Sequence, residues 1–482
     1  MYTFIISVVL LIVGYFIYGK FVEKVFGINT EAETPAYRLK DGVDFVPMGW
    51  GKIFLIQFLN IAGLGPIFGA IMGAAFGPSA FLWIVFGCIF GGGVHDYMSG
   101  MLSLRNNGLS LHGIAHKYMG KGFKNFMSAF TIILMVLVGA VFVSGPAKIL
   151  SNMTPDSISF NVWCTIIFIY YMLATLLPID KLIGKIYPIF GFAILFMAVG
   201  IFFSLFIFHA NIPEAIPSNL HNMKFDSANY PIFPMLFVSI ACGAISGFHA
   251  TQSPLMARCI KNEKYGRKIF YGSMITEGIV ALIWAAAAMS FFGSVDGLQN
   301  FLGEHGGNAA VVVDKITHTW LGRFGAVLAL IGVVAAPITS GDTAFRSGRL
   351  IISDYFGIDQ KPLKKRLYVA VPLFLIGFIL LQVNFDVIWR YFAWSNQTLA
   401  ACTLWVVTVA LAKAGKFYWI TLVPAIFMTM VSCSYILIAP EGMQLSQQTG
   451  VIISVVITMF ITVWFVVRSI GSKSTDNHSS KI

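Results

Sequence analysis

Charged side chains are scarce. Asp, Glu, Lys and Arg make up 11% of the 482 residues, against about a quarter in soluble domains. That is too little charge to clothe a water-facing surface. Cysteine pairs are also missing. Cys88, Cys164, Cys242, Cys259, Cys402 and Cys433 are scattered, and none falls in a C-x-x-C pair. This argues against a disulfide framework or a zinc site and leaves small packing residues. No H-E-x-x-H, G-x-S-x-G or Walker A stretch occurs, so hydrolysis and ATP-driven work have no visible home. The first twenty residues, MYTFIISVVLLIVGYFIYGK, lack a positive n-region, and the first basic residue, Lys20, follows the apolar run. The segment therefore reads as a retained membrane helix and not as a cleaved signal. No long polar linker divides the chain, so residues 1–468 read as a single membrane domain.

What is present is apolar surface. Hydrophobic residues reach 57% and the mean hydropathy is +0.80. Runs long enough to cross a bilayer recur along the whole chain. The expected architecture is all-α and polytopic, with about thirteen spans: 3–19, 53–76, 79–101, 124–148, 160–178, 186–209, 232–257, 269–293, 320–345, 367–384, 387–412, 417–438 and 449–467. The stretch 307–319 reads as a half-length amphipathic segment outside the bilayer core. The polar tail 469–482 is expected to be disordered and cytoplasmic. With the N-terminus outside, the outer side holds only Lys148, Lys224, Lys315, Arg323 and Arg390, and the other 27 of the 32 Lys and Arg fall inside. This asymmetry orients the protein, and it explains the net charge of +11 without nucleic acid.

Two spans carry helix breakers. In NIAGLGPIFG, Asn60 to Gly69, three glycines and a proline fall within seven residues. In ISGFHATQSP, Ile245 to Pro254, Gly247 is followed by His249, Thr251, Gln252, Ser253 and Pro254. Non-helical backbone survives at membrane depth only where it is buried in protein or lines a cavity. Five spans separate the two breaks, so the second enters from the opposite side. That is the pattern of two five-helix inverted repeats, at 53–209 and 232–412, with broken first helices meeting at the midplane. One extra helix precedes them (3–19) and two follow (417–467). The plain alternative is a pair of proline kinks in ordinary helices.

The candidate solute-binding groups lie on these two spans: Gln57, Asn60, Gly63, Gly65, Pro66, Gly247, His249, Gln252 and Ser253. Their neutral hydrogen-bonding groups and half-helix ends suit a zwitterion or a carboxylate, or serve as glue between helices. Candidate ion-coupling groups are Thr339, Ser340, Asp342 and Thr343, a carboxylate among hydroxyls inside a span. Asp342 reads equally well as the partner of Arg346, one turn on. Asp96, with His95, ends the third span. The pair reads either as a proton relay or, preferentially, as a helix-end salt bridge to a basic loop. Glu277 reads first as the partner of Arg258 or Lys268, and second as a participant in proton transfer. Trp394 and Asn396, with Gln397, open the eleventh span as an aromatic belt or an outer gate.

The stretches DGVDFVP (41–47), IAGLGPI (61–67), HDYMSGMLSLRNNGLSL (95–111), SGFHA (246–250) and TSGDTAFRSGRLI (339–351) together resemble the carbon starvation protein (CstA) family of bacterial transporters. The resemblance implies secondary uptake of peptides, or of small carboxylates such as pyruvate, across the inner membrane. It also implies a fold similar to the LeuT-like amino acid–polyamine–cation superfamily. In such folds the first and eighth core helices share a cation site, and span 9 takes the eighth place here. The coupling ion is expected to be H+ or Na+, with no other cofactor. The chain departs from the longer branch of the family, which has paired histidines where Ile56 and Gln57 stand and differs at TQSP. The expected function is a secondary symporter. A membrane-embedded enzyme is disfavoured by the missing motifs, and an ion channel or solute sensor is the alternative.

Overall fold

Glycine and proline placement decides where the helices of the computed structural model run straight and where they stop. The structure describes residues 1–42, 44–155, 157–176, 179–358, 362–383 and 385–471. Most of the expected tail, 472–482, lies outside the described residues. The main helices are α1 (Tyr2–Phe26), α2 (Trp50–Ile61), α3 (Gly65–Ala74), α4 (Ser79–Arg105), α5 (Lys121–Met153), α6 (Phe160–Leu176), α7 (Ile179–Ile207) and α8 (Ile232–Ser239). They continue with α9 (His249–Ala257), α10 (Glu263–Phe291), α11 (Ala309–Ala329), α12 (Ala336–Phe356), α13 (Leu363–Leu380), α14 (Phe385–Lys413), α15 (Trp419–Ile438) and α16 (Gln447–Gly471). The protein is an all-α multi-pass membrane protein.

Among the described residues, eight helices are long and apolar enough to cross a membrane, or nine if α2 and α3 count as one span bent by 54°. The remaining expected spans fall short of that measure for physical reasons. α6 is short, α8 and α9 are parted by non-helical backbone, α12 carries Asp342, Arg346 and Arg349, and α13 begins with Lys364, Lys365 and Arg366. The thirteen-span reading thus rests on the order of elements along the chain.

Both broken spans are broken, but the second not where the residues suggested. Helix geometry was expected to fail from Gly247 to Ser253. Instead it fails over 240–248, and His249, Gln252 and Ser253 sit on regular helix α9. Asn396 of α14 explains the shift. Its backbone carbonyl accepts from the Gly247 N–H at 3.1 Å, and its side-chain oxygen accepts from the Phe248 N–H at 2.7 Å. Backbone groups freed by the break are satisfied there, so the helix resumes one residue later. Gly247 is required by proximity: a Cβ would stand 2.5 Å from the Asn396 carbonyl oxygen. The two breaks face each other, because a Cβ on Gly65 would collide with the side chain of Cys242. Small residues let backbones approach this closely where lipid supplies no hydrophobic drive.

α1 identifies the two ends of the bundle. At about 1.5 Å per residue its 25 residues span roughly 37 Å. At its start, Glu214 accepts from the Met1 ammonium and from the Tyr2 and Thr3 amides at 2.8 and 2.7 Å, which satisfies orphan donors of the first turn. At its other end, the Gly27 carbonyl accepts from Arg105 at 2.6 Å and Lys416 reaches the Phe26 carbonyl. From there residues 28–42 and 44–49 run as a strap across the ends of α4 and α9. The Asn29 N–H donates to Glu263 at 2.6 Å, and the Asn262 amide to the Thr30 carbonyl at 2.7 Å. The Met48 N–H donates to the Cys259 carbonyl at 3.1 Å, and Asp44 lies 3.9 Å from Arg258.

Candidate functional site

Four ionisable side chains meet below the breaks, each with no exposure to solvent. Asp96 is the hub. Its two oxygens lie 2.8 Å from His95 Nδ1 and 2.9 Å from His249 Nδ1. On the far side of the His249 ring, Nε2 is 3.5 Å from Glu277. Asp96 comes from α4, His249 from the first turn of α9 and Glu277 from α10, so the cluster ties the second broken span to two flanking helices. α4 and α10 each contain one widened π-type turn, at Gly87–Gly92 and Arg267–Tyr271, a short distance before Asp96 and Glu277. Such turns shift the register of the residues that follow.

The protonation of the cluster follows from its hydrogen bonds. An ionised carboxylate only accepts, so with Asp96 ionised both imidazoles place a proton on Nδ1. His249 Nε2 then presents a lone pair toward Glu277, neither of whose oxygens has a hydrogen-bond partner. Two acceptors face one another in the buried interior. One added proton, on the carboxyl or on the ring, turns that repulsion into a hydrogen bond. Burying Asp96 alone would cost several kcal/mol, and two charge-assisted bonds of about 1.5–3 kcal/mol each offset it. The arrangement can therefore hold and release one proton on a pair that belongs to α9 and α10.

Sequence reasoning had favoured a helix-end salt bridge for His95 and Asp96. The structure contradicts this: Arg105 is taken by Glu263 at 2.8–2.9 Å, and Asp96 points inward. Glu277 does not meet Arg258 or Lys268 either. Arg258 goes to the Gly108 carbonyl at 3.0 Å and toward Asp44, and Lys268 lies over the Trp50 ring. Proton transfer, ranked second for Glu277, is the reading its position beside His249 favours, and an acid in a membrane helix was the signal.

The expected solute-binding groups divide. The Gln57 amide approaches the Ser253 hydroxyl at 3.3 Å, joining the two broken spans, and Ser253 donates to the His249 carbonyl at 3.1 Å. Gln57, Asn60 and Gln252 are buried, each with its amide oxygen unpartnered. Gly63 lies beside Phe142, and a Cβ there would be 3.5 Å from the Ser340 hydroxyl. Ser340 therefore reaches the first break, with Thr339 and Thr343 buried nearby on α12. Asp342 does not accompany them. Two residues round the helix from Ser340, it is 3.6 Å from Arg346, whose guanidinium also donates to the Ala174 carbonyl on α6 at 2.9 Å. Trp394 likewise turns away from Asn396, two positions on. Its indole donates to the Ser432 carbonyl at 3.0 Å and it packs on Phe130. Asn396 acts as the brace of the second break and also exchanges hydrogen bonds with Ser246 at 2.8–3.0 Å.

Residues 1–160, 154–321 and 306–434 match the family described as carbon starvation protein CstA. The chain belongs to that family. An uncharacterised membrane protein of Haemophilus influenzae is 45% identical over 62% of this chain and 94% of its own length. The peptide transporter CstA of Campylobacter jejuni is 28% identical over 89% of this chain and 79% of its own. The pyruvate/proton symporter BtsT of Escherichia coli is 25% identical over 88% and 79%. Among solved structures, MhsT in complex with L-phenylalanine superposes with a TM-score of 0.56 at 14% identity, covering 85% of this chain and 97% of that one. The overall fold of this CstA family member is therefore shared with MhsT.

Proposed function

We propose that this CstA family member is a proton-coupled importer of small nutrients, peptides or small carboxylates such as pyruvate, working by alternating access in the bacterial inner membrane. The carrying observation is the buried Asp96–His249–Glu277 chain. Its proton-binding pair sits at the start of α9, the half-helix that leads out of the second break. Loading the pair holds α9 against α10, and unloading leaves two acceptors in opposition and loosens it. Gln57, Asn60, Gln252 and Ser253 beside the breaks are the groups assigned to the solute. The transporter names of relatives sharing most of this chain support transport over an enzyme, channel or sensor role. The scarcity of basic residues at the Met1 end supports placing that end outside and the C-terminus in the cytoplasm.

A sodium site has one observation behind it, the hydroxyl of Ser340 beside Gly63. Proteoliposomes loaded at neutral pH and diluted into acidic or sodium-rich buffer separate the two. Labelled pyruvate or labelled dialanine should accumulate with an inward pH gradient and indifferently to sodium replaced by choline. Accumulation that follows sodium and ignores pH sinks the proton reading.

A further inference from the structure

The side of the bundle opens into an apolar groove of about 500 Å³ between α4, α8 and α15. A stripe of α4 forms its long wall: Leu82, Trp83, Phe86, Gly87, Phe90 and Gly91, spaced so that they share one helix face. The first turn of α4 lies at the Met1 end, where the Phe81 ring stands 6.4 Å from that of Phe4. From Ser79 to Gly91 the wall runs for roughly 18 Å, at about 1.5 Å per residue. The groove thus leads from the Met1 end to about halfway along α4.

Its floor is one side chain deep over the second break. Gly87 and Gly91 carry no side chain there, and a Cβ on them would stand 2.9 Å from Ala244 and 3.3 Å from Ile245. Trp83 fills the rest of the floor. Its ring lies 4.8 Å from Phe237 and 5.7 Å from Phe427, and its indole N–H donates to the carbonyl of Ile240, where the break begins, at 3.3 Å. The rim is the opposite: Leu82, Phe86, Phe90 and Val423 are exposed. Apart from the Ser79 hydroxyl and the Trp83 indole, the described lining side chains are apolar.

We infer that this groove seats one acyl chain of a bilayer phospholipid, from the leaflet at the Met1 end. The exposed rim belongs to helices of a multi-pass membrane protein, so the groove is continuous with the face that meets lipid. Its length fits as well. A bilayer core is about 30 Å thick, which gives the chains of one leaflet roughly 15 Å to run. Lipid tails supply no hydrophobic drive toward such a surface, so what holds a chain is contact. A chain in the groove touches α4, α8 and α15 at once, whereas a chain on a convex helix face touches one side only. The seated chain lies against Trp83, one side chain away from the backbone of the second break. The inference goes beyond the proposed transport function and does not depend on it.

The test uses the full-length protein in nanodiscs made with a phosphatidylcholine that carries a diazirine on its acyl chain. Adducts formed on illumination are mapped by mass spectrometry, and native mass spectrometry of the protein in mild detergent counts the lipid retained. Adducts should be several-fold denser at Phe86 and Phe427 than at Val456 and Phe460, which are exposed on α16. One phospholipid should stay bound through washing. Val423→Trp, which fills the groove from its rim, should lose both that lipid and the adducts at Phe86 and Phe427, and leave those on α16 unchanged. Val456→Trp should keep the bound lipid. Should Val423→Trp fold poorly, Leu82→Trp should give the same loss. Adducts as dense on α16 as in the groove, or a bound lipid that survives filling of the groove, overturns the seat. So does a dimer that Val423→Trp splits, because a second copy of the chain would then cover the groove.

Discussion

Replacing Asp96 by Asn alters one oxygen and disturbs the whole cluster. Both His95 and His249 donate from Nδ1 to the Asp96 carboxylate, and Asn can accept only one of those bonds. Its NH2 must face the other imidazole, which then has to carry its proton on Nε2. If that ring is His249, its Nε2–H now points at Glu277, 3.5 Å away, and the pair keeps a hydrogen bond without any proton taken from outside. Two charge-assisted bonds of about 1.5–3 kcal/mol become neutral ones of about 0.5–1.5 kcal/mol, a loss of roughly 2–3 kcal/mol. The protein should still fold, because the amide satisfies every partner. Coupling should disappear. A pH step of one unit is worth about 1.4 kcal/mol and sustains about tenfold accumulation of a solute carried with one proton. In proteoliposomes with that step imposed, wild type should approach tenfold accumulation of labelled solute. Asp96→Asn should stop near equal concentrations while still exchanging external for internal solute. Asp96→Asn that concentrates solute as far as wild type refutes the relay.

Asp342→Asn should do the opposite: accumulation persists, but the thermal midpoint falls, because Arg346 loses its buried partner at a cost of about 3 kcal/mol. Loss of accumulation with unchanged melting would return Asp342 to the coupling site. Asn396→Ala removes the acceptor of the Phe248 N–H and should cost about 1–3 kcal/mol, read as a lowered midpoint in detergent; an unaffected midpoint means the break needs no brace. Glu214 should give an acid-sensitive term in stability. Partial burial pushes its carboxyl up, but the N-terminal ammonium, the Thr3 hydroxyl and the Thr3 and Tyr2 amides outweigh this and hold it at about 2, below its ordinary 4.5. A depressed carboxyl stabilises above the unfolded value and loses that contribution as pH falls through the folded one. Wild type should therefore exceed Glu214→Gln in thermal midpoint at neutral pH, and the gap should close between pH 4.5 and about 2. A gap that does not narrow on acidification argues against the ion pair.

The membrane class, the two interruptions and their proximity were legible in the sequence, because each depends on local chemistry. Apolar runs have one solvent they fit, and a Gly-Pro cluster cannot continue a helix. The exact position of the second interruption was not legible. It is fixed by Asn396, far along the chain, which supplies the acceptor that Phe248 needs. The site failed in the same way. His95, Asp96, His249 and Glu277 were all visible as ionisable groups in apolar runs. Which of them meet depends on helix rotation, and the widened turns in α4 and α10 alter that rotation in a manner no periodicity reveals. Asp342 drew attention because it stands in a conspicuous motif. Pairing with Arg346, one turn on, was the equally weighted alternative, and the two stand 3.6 Å apart.

The strap formed by residues 28–42 and 44–49 bears on leakage. Under an alternating cycle, the end of the bundle that holds Gly27 can open only if α9 and α4 part there. The strap is bonded to the 258–263 segment through Asn29, Thr30, Met48 and Asp44, and Arg105 at the end of α4 donates to the Gly27 carbonyl where the strap begins, so the strap opposes that parting. The Arg105 bond to the Gly27 carbonyl, charge-assisted and worth about 1.5–3 kcal/mol, favours the closed form by a population ratio of roughly ten to a hundred to one. A resting molecule would then spend only a small fraction of its time open at that end. Solute already gathered would be lost slowly, and release into the cell would set the pace of each turnover. On the proposed transport function, such a protein trades speed for retention.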